Sequence, residues 1–572
     1  MVNKIVRKTL VENLFSFVIL SLTILVFIVA GLLPAQLLER IVDTSLDQGI
    51  TEPLLKLSLF YLGTVFLVGI LDFVKQLLLV TLGEKITRRI RLAMSQKLRT
   101  VQTSYFSENA VGLTTSCFVN DVNAVNAMFT SGLISLFVDL LKIIGIIISM
   151  FLFDLSLGLM TLVAVPLIFL FTRVIQKRML GAQIKHRKLI SKVNNHITET
   201  LSNRKMIKLY SAEEFMENRY KTYLDANFKA VESVNFYDSL YPPLIVLFRG
   251  LLIVFCVLTS GTLFGPSAVS LGVVAGAIEL IGSLFVPIES LGMELQSIQQ
   301  SVAGVQRIND FFKEKDEEPK LQLTPDGIFH HRDDISLCFD NVSFQYEESV
   351  TVINDINLSI QAKEKATFIG RTGVGKTTLF KLIMGLLKPT QGKITLNGID
   401  VYQIPNEIKH LIFGYVDQSF SPISGTVREQ LTLGQTYPEE RLWEVLDFVH
   451  LKEKVNSLPQ TLDTPFSEGI FSQGEKQLLS IARGILSDPP ILLLDEMTAN
   501  LDSLTEEKIN DVLRKASMSR TILSISHRLT SIDTADKVIY IEQGRVKKAG
   551  TKEEVLSLEE FQKELELEKL WR

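Results

Sequence analysis

Residues 366–383, ATFIGRTGVGKTTLFKLI, decide the fold of the C-terminal half of the chain. A strand-like run leads into the pattern GxxxxGKT and a helix-like sequence follows it, which is the context that a phosphate-binding loop requires. Glycines let the backbone N–H groups of such a loop converge on phosphate oxygens, and the helix N-terminus adds favourable partial charge. The stretch therefore predicts an α/β domain of the P-loop type that binds a nucleotide.

Two side chains of this loop have specific chemistry. Lys376 is expected to reach the β- and γ-phosphates of ATP, and Thr377 is expected to ligate Mg²⁺. The residues of the loop predicted to bind the nucleotide are Gly370, Arg371, Thr372, Gly373, Val374, Gly375, Lys376, Thr377 and Thr378.

A second segment, ILLLDE at 491–496, fits the same site. An apolar run of this kind is typical of a fully buried parallel strand, and ligands of α/β sheets bind at the C-terminal edge of the strands. Asp495 is suited to the metal shell, and Glu496 is suited to activating an attacking water. A strand that simply ends in two solvated acids is the alternative interpretation.

The composition of the whole chain excludes several classes of protein. With 572 residues, 47% hydrophobic and 21% charged, the chain is neither disordered, collagen-like nor disulfide-dense. A net charge of -4 gives no basic excess that would indicate nucleic acid as a partner. The three cysteines have no CxxC spacing, so neither a disulfide framework nor a zinc site is indicated.

The first half of the chain is much more apolar than the second. Residues 13–38 contain no charge, and a helix needs about 20 apolar residues to cross a bilayer. Buried helices of a soluble protein are disfavoured, because charge-free runs of this length are rare in soluble folds. The runs that predict six membrane spans are 13–38, 54–82, 130–153, 155–175, 241–263 and 271–295.

Basic residues in the loops predict the orientation. The segment after the second span, 83–100, is rich in lysine and arginine, and so is the segment that begins at Arg173. The alternate loop 39–53 contains only one basic residue, Arg40. The positive-inside rule then places both termini in the cytoplasm of a multi-pass cell-membrane protein. Both basic segments are predicted to run on as long helices, with turns near 105–110 and 210–215.

Several ionisable residues lie within the predicted spans, where charges are costly and face a partner or a cavity. Two Asp/Lys pairs, Asp72 with Lys75 and Asp139 with Lys142, have the i, i+3 spacing that allows neutralisation. Arg249 and Glu279 have no partner on their own helix. These two residues are therefore the better candidates for a polar substrate cavity, and pairing between packed helices is the alternative.

A charged segment with two prolines, 311–334, separates the two halves and is predicted to be a linker. The predicted organisation is thus an all-α membrane domain at 1–310 with two long cytoplasmic hairpins, the linker, and a nucleotide-binding domain at 335–572.

Over nearly its whole length the chain resembles the ATP-binding-cassette (ABC) exporters of the multidrug type, as a half-transporter with six spans and one nucleotide domain. Three further matches support the resemblance. Tyr346 is similar to the aromatic residue that stacks on adenine, Gln418 to the glutamine that senses Mg²⁺ and the membrane domain, and His527 to the histidine near the γ-phosphate.

The resemblance also identifies a signature segment. The family's LSGGQ, which contacts the ATP held by the opposite domain, corresponds here to FSQGE at 471–475. Ser472 and Gly474 remain as the predicted donors to the γ-phosphate. Gln473 adds bulk and Glu475 adds negative charge, and both changes are expected to weaken the phosphate contact. The segment ANLD at 499–502 also departs from the family's SALD.

This combination resembles one subunit of the heterodimeric exporters, which have one competent and one degenerate ATP site. We therefore expect Lys376, Glu496 and His527 to act with the signature of a different half-transporter. A homodimer with two mildly impaired sites is the alternative.

The resemblance implies an ATPase coupled to transport. ATP-induced closure of two nucleotide domains, reset by hydrolysis, would export a small molecule, peptide or lipid across the cytoplasmic membrane. The alternatives are an ATP-gated or regulatory membrane subunit with little turnover, or a lipid flippase. Import is disfavoured, because importers usually keep spans and ATPase on separate chains. The transported substrate does not follow from the sequence.

Overall fold

The chain forms two compact units in the computed structural model. One unit contains Met1–Val101 and Asn109–Asp316, and the other contains Gln102–Glu108 and Glu317–Arg572. The residues that the structure describes are 1–48, 52–109, 111–258, 270–323, 335–346, 351–371, 373–495, 503–526 and 535–557.

The described residues of the first unit are mainly helical, and among them six helices are long and apolar enough to cross a membrane, which confirms the predicted number of spans. Two π-helical segments, Cys117–Asp121 and Met128–Ile134, interrupt the third of these helices, Val111–Phe153. The α-helices of this unit and its connections are α1 Val2–Glu12, α2 Leu14–Gln48, α3 Glu52–Thr100, α4 Ser104–Glu108, α5 Val111–Ser116, α6 Val122–Ala127, α7 Ser135–Phe153, α8 Leu155–Ser202, α9 Arg204–Leu209, α10 Glu213–Leu258 and α11 Leu271–Lys313.

The long basic segments are helical, as predicted. Helix α3 continues to Thr100, where Asp316 accepts a hydrogen bond from the Nζ of Lys97 at 2.9 Å and pairs with Val101 in a β-bridge. The chain therefore turns at 101–103, a few residues before the predicted turn, and Ser107 lies inside the short helix α4. The second predicted turn is confirmed between α9 and α10.

The outward surface of these helices suits a lipid environment. On α3, Leu59, Phe66 and Phe73 repeat every seven residues and are 72%, 71% and 68% exposed. Such a stripe of large apolar side chains marks a membrane or protein contact rather than a water-facing surface. Together with the length of the helices, it identifies the unit as a multi-pass membrane domain.

The two intramembrane Asp/Lys pairs differ. Lys75 forms the expected ion pair with Asp72 at 2.5 Å. Asp139 instead accepts a hydrogen bond from Ser290 on α11 and lies beside the carboxyl group of Glu294, and the described residues contain no direct Asp139–Lys142 ion pair. Contacts of Asp139 with α11 therefore take the place of the Asp139–Lys142 pair that the i, i+3 spacing predicted.

The second unit contains two sheets. A six-stranded sheet has the order β10-β9-β3-β8-β7-β6, and only β10 is antiparallel to its neighbour. An antiparallel sheet has the order β2-β1-β4-β5. The strands are β1 Leu337–Gln345, β2 Thr351–Ile360, β3 Lys365–Ile369, β4 Gln391–Leu396, β5 Ile399–Asp400, β6 Phe413–Val416, β7 Ile491–Asp495, β8 Thr521–Ile525, β9 Lys537–Glu542 and β10 Arg545–Gly550.

The two predicted strands of the nucleotide site, at 366–369 and 491–495, are confirmed as β3 and β7. All five residues of β7 are buried, as expected of a parallel strand that is covered on both faces. The α-helices of this unit are α12 Lys376–Ile383, α13 Asn406–Lys409, α14 Val427–Thr432, α15 Glu439–Phe448, α16 Lys452–Asn456, α17 Gln473–Ile485, α18 Ser503–Ala516 and α19 Lys552–Leu556.

The chain that enters this unit after Asp316 packs beside α13 through a pair of lysines. Lys320 donates to the amide oxygen of Asn406 at 2.6 Å, and the buried Lys409 donates to the carbonyl of Gly385 at 2.5 Å. Burial first, and then the ammonium group of Lys320, lower the pKa of Lys409 from its ordinary value to about 7.

This pair predicts a pH dependence of stability. The unfolded chain retains an ordinary lysine pKa, so between about pH 7 and pH 10 it binds more protons than the folded chain, and stability rises with pH. Lys409→Met removes the buried charge and should flatten this rise. The melting temperature of the full-length protein in detergent is measured as a function of pH. Each kcal/mol of unfolding free energy shifts it by about 2–4 °C. Lys393→Met, at an exposed lysine of β4, is the control, and an equal pH slope in all three proteins contradicts the prediction.

Candidate nucleotide site

Glycines fix the backbone of the loop between β3 and α12. Gly370 has φ +147°, and a Cβ added to it would lie 2.2 Å from the carbonyl oxygen of Ile541. Gly375 has φ +100° at the start of α12, and an added Cβ would lie 2.9 Å from a side-chain carbon of Val352. No other residue fits these two positions without moving the backbone. The loop is therefore shaped before any ligand binds.

The side chain of Lys376 lies across this loop. It is buried, and its Nζ donates hydrogen bonds to the carbonyl oxygens of Gly370 at 2.6 Å and Arg371 at 2.9 Å. The ammonium group is thus held among the peptide groups that the sequence predicted to surround phosphate. A charge in this position is oriented toward an anion without a large loss of side-chain freedom on binding.

The two predicted metal ligands of the loop and of β7 are brought together. Thr377 donates from its hydroxyl to the Oδ2 of Asp495 at 3.2 Å, and Asp495 is buried at the end of β7. One hydroxyl and one carboxylate match the oxygen ligands that Mg²⁺ prefers, with water and phosphate oxygens filling the other positions. The donor set therefore fits Mg²⁺.

Tyr346 also lies beside the start of α12. Its hydroxyl group is 3.1 Å from the hydroxyl of Thr378, and its ring packs edge-on against Phe344 at 4.9 Å. The ring is half-buried, so one side is left for a contact. The structure therefore places the predicted adenine-stacking residue next to the phosphate-binding loop.

Gln418 follows β6 by two residues, and its backbone N–H donates to the Oδ1 of Asp417 at 2.8 Å. A nearby residue that the sequence analysis missed is Tyr415. Its hydroxyl donates to Asp417 at 3.3 Å and also interacts with Asp495. Burial first, and then these two carboxylates, raise the pKa of Tyr415. Only the alignment of β6 with β7, which pairs Tyr415 with Leu493, brings this hydroxyl to the metal carboxylate.

The signature segment forms the beginning of α17. Ser472 caps the helix by accepting from the N–H of Glu475 at 3.2 Å, and Glu475 returns a contact to the N–H of Ser472 at 2.7 Å. Glu475 therefore completes a capping box, which is a local reason for an acid at this position.

Gly474 is required by packing, because an added Cβ would lie 2.2 Å from Thr505 on α18. No hydrogen bond between described residues links Ser472 or Gly474 to the loop at 370–378. Within one chain, the structure does not join the signature segment to the phosphate-binding loop.

Three predicted site residues, Thr372, Glu496 and His527, lie outside the described residues, as does the segment 499–502. Glu496 follows Asp495 directly, and His527 follows Ser526, whose N–H donates to the carbonyl of Phe368 in β3 at 3.2 Å.

The candidate cavity residues of the membrane domain lie on neighbouring helices. The guanidinium of Arg249 on α10 packs against α11, where a Cβ added to Gly282 would lie 2.8 Å from it. Glu279 is exposed one turn earlier on α11, and the described residues show no ion pair between Arg249 and Glu279. Their role in a substrate cavity stays a prediction.

Comparison with known families covers both units. Residues 14–288 match the family described as the ABC transporter transmembrane region, and residues 353–499 match the family described as ABC transporter.

Individual relatives match along most of the chain. A multidrug resistance ABC transporter ATP-binding and permease protein of Lactococcus lactis is 28% identical over 83% of this chain and 80% of its own length. A fatty acid ABC transporter ATP-binding/permease protein of Mycobacterium bovis is 27% identical over 83% of this chain and 75% of its own. A bacterial Atm1-family ABC exporter solved with ATP bound shares the fold, with a TM-score of 0.72 and 22% identity over 97% of this chain and 96% of that one.

The geometry of the loop predicts the effect of removing its lysine. Lys376→Ala deletes a charged donor to phosphate, and we expect the affinity for ATP to fall about 10- to 100-fold. Titration of the purified protein with a fluorescent ATP analogue measures this change. Lys381→Ala, at the other end of α12, is the matched control and should retain affinity. Equal affinity in both variants would show that Lys376 does not contact the nucleotide.

Proposed function

This chain belongs to the ABC transporters, and on that premise we propose that it is an exporter that couples ATP hydrolysis to the movement of an amphiphilic small molecule out of the cell. The hydrogen bond between Thr377 and Asp495 is the observation that carries the proposal. It joins the phosphate-binding loop to the strand that precedes the proposed catalytic base, in a chain that also contains six membrane helices.

The residues of the site have distinct proposed roles. Lys376 and the loop N–H groups bind the β- and γ-phosphates, and Tyr346 stacks on adenine. Thr377, Asp495 and Gln418 hold Mg²⁺, which when bound neutralises phosphate charge. Glu496 orients and deprotonates the attacking water, and His527 donates to the γ-phosphate.

The proposed coupling segment comes from the membrane half of the sequence. Gln102–Glu108 connects α3 to the third membrane helix, yet belongs to the same compact unit as the nucleotide site. We propose that movement of this segment, when two nucleotide domains close on ATP, changes the packing of the membrane helices. Both termini are placed in the cytoplasm in this proposal, because the basic loops lie on that side.

Amphiphilic cargo is supported by the relatives and not by a site in this chain. One relative is named for multidrug resistance and another for fatty acids, and both substrate classes combine a large apolar body with a polar group. A subunit with little turnover remains the second candidate, and a lipid flippase is a special case of amphiphile export.

We further propose that the partner is a different half-transporter. Glu475 holds the N–H of Ser472 and places a negative charge at the start of α17, where the signature of an opposing site would approach phosphate. In a heterodimer this altered segment caps the partner's ATP, and the ATP held by Lys376 and Glu496 meets the partner's own signature. In a homodimer, every site would use the altered segment.

The proposed base predicts a separation of binding from hydrolysis. Glu496→Gln should lower ATP hydrolysis about 10²- to 10⁴-fold, because a positioned base contributes this much, and should leave ATP binding intact. Phosphate release and ATP binding are measured on the protein reconstituted in lipid with its partner. Glu507→Gln, at an exposed position of α18, should behave as the unmodified protein. Hydrolysis near the original rate in Glu496→Gln would exclude Glu496 as the base.

The signature segment predicts a test of the partner. Gln473→Gly combined with Glu475→Gln restores the family pattern at those positions. In the chain purified alone, which forms only homodimers, the double variant should hydrolyse ATP faster than the unmodified chain. In the complex with a second half-transporter that carries LSGGQ, the rate should be unchanged, because Glu496 then faces the other signature. An increase of similar size in both preparations contradicts the heterodimer proposal.

A further inference from the structure

An apolar cavity of about 490 Å³ lies within the membrane unit, where α1, α2, α3 and the third membrane helix meet. Apart from Ser21 and Thr130, the residues around it are aliphatic, aromatic or glycine. Representative lining residues are Leu10 on α1, Phe17 and Ile24 on α2, Leu82 on α3, and Phe129 and Phe137 on the third helix.

The position of the cavity restricts its occupant to a molecule of the bilayer. Its lining on α2 runs from Phe17 to Leu25, which at 1.5 Å per residue is about 12 Å along the helix axis. Half of a hydrocarbon core of about 30 Å is about 15 Å thick. The cavity therefore extends through roughly one leaflet, and the group with that length and polarity is a lipid acyl chain.

Apolar fit alone does not select one lipid over another. An acyl chain is as well solvated by other lipid tails as by aliphatic side chains, so moving it into the cavity brings no hydrophobic gain. A resident lipid must therefore be recognised at its headgroup, by charge or by hydrogen bonds.

One basic residue of α3, Lys85, lies three residues after the lining residue Leu82, and its hydrogen-bond partner Asn13 lies in sequence between the lining residues Leu10 and Phe17. Lys85 is exposed and donates to the neutral amide oxygen of Asn13 at 2.8 Å, so its charge is not neutralised by that contact. Arg89 is paired with Glu12, and Arg88 lies on the opposite face of α3 from Ile86, because two residues along a helix correspond to a rotation of about 200°.

The acid nearest in sequence to Lys85, Glu84, contacts the third helix and keeps its own negative charge. Glu84 accepts from the amide of Asn126 on the third helix at 3.0 Å. On α1, Lys4, Arg7 and Lys8 add further exposed positive charge. Together with Lys85, these α1 side chains outnumber the acids Glu12 and Glu84 in this region, so a negative headgroup is favoured there.

We propose that this cavity binds one resident anionic phospholipid, with an acyl chain between α2, α3 and the third helix and its phosphate beside Lys85. The lipid adds to the packing of α1 against the spans, to which the buried Val2 and Val6 and the Arg89–Glu12 ion pair also contribute. It is a structural ligand, distinct from the exported molecule of the proposed function.

Tryptophan fluorescence tests this site directly. The two tryptophans of the chain, Trp443 and Trp571, lie far along the sequence from the spans. Both are first replaced by phenylalanine, so that a newly introduced tryptophan is the reporter. Leu25→Trp places a reporter at the cavity. Leu22→Trp places one on the same helix at a residue that does not line the cavity, and the two leucines are 60% and 62% exposed. Each protein is reconstituted in phosphatidylcholine with an equal small fraction of brominated phosphatidylglycerol or brominated phosphatidylcholine.

At Leu25→Trp we expect brominated phosphatidylglycerol to quench the tryptophan fluorescence more strongly than brominated phosphatidylcholine does, as though its local concentration were about fivefold higher or more. One basic residue near a membrane surface supplies a preference of this size. At Leu22→Trp the two brominated lipids should quench alike. Adding Lys85→Gln to Leu25→Trp should abolish the preference, whereas adding Arg88→Gln, on the opposite face of α3, should leave it unchanged.

Three results would overturn the proposal. Equal quenching by both lipids at Leu25→Trp means that bulk lipid fills the cavity. A preference that survives Lys85→Gln means that Lys85 does not recognise the headgroup. A preference that disappears when ATP and Mg²⁺ start turnover identifies an exported lipid instead of a resident one, and that outcome leaves the proposed export function intact.

Discussion

Parallel pairing of β3, β8 and β7 is the constraint on which the nucleotide site depends. The three strands run in the same direction, with Phe368 opposite Ile525 and Asp495 opposite Ile525, so their C-terminal ends meet at one edge of the sheet. Only this alignment puts Thr377, eight residues after β3, within hydrogen-bonding distance of Asp495, which is more than a hundred residues away in sequence. Burial of β7 on both faces then fixes its register, because a slip of one residue would move Asp495 away from the loop.

The membrane unit obeys a different constraint, because backbone polar groups in a bilayer must be satisfied within each helix. Apolar burial supplies little of the energy that holds such helices together, so packing and polar contacts between helices contribute more. The Asp139–Ser290 hydrogen bond joins the third helix to α11, and the neighbouring carboxyl groups of Asp139 and Glu294 share that interface. These contacts between separate helices fix how the third helix packs against α11.

The sequence alone was sufficient to predict the features that depend on residues close together in the chain. The six spans, the extension of α3 to Thr100, β3 and β7 all follow from hydropathy runs or from a motif, and the structure confirms them. The contacts that sequence reasoning missed, Tyr415 with Asp495 and Asp139 with Ser290, join separate elements and depend on strand register and helix packing. The roles of Glu496 and His527 stay predictions, since they rest on resemblance and on the strand ends that precede them.

In the signature segment, Glu475 stabilises the start of a helix and opposes the proposed binding of phosphate at the same place. Glu475 is well placed for folding, because an acid three residues after the cap satisfies an otherwise unpaired N–H and interacts favourably with the helix N-terminus. In the proposed dimer the same N-terminus would approach a phosphate of the opposing ATP, and the carboxylate already accepts a hydrogen bond from the N–H of Ser472. Phosphate must therefore displace the glutamate side chain or bind beside a like charge. The proposed competition arises within α17 itself, so it would act in a homodimer and in a heterodimer alike, and the opposing chain would determine whose ATP is affected.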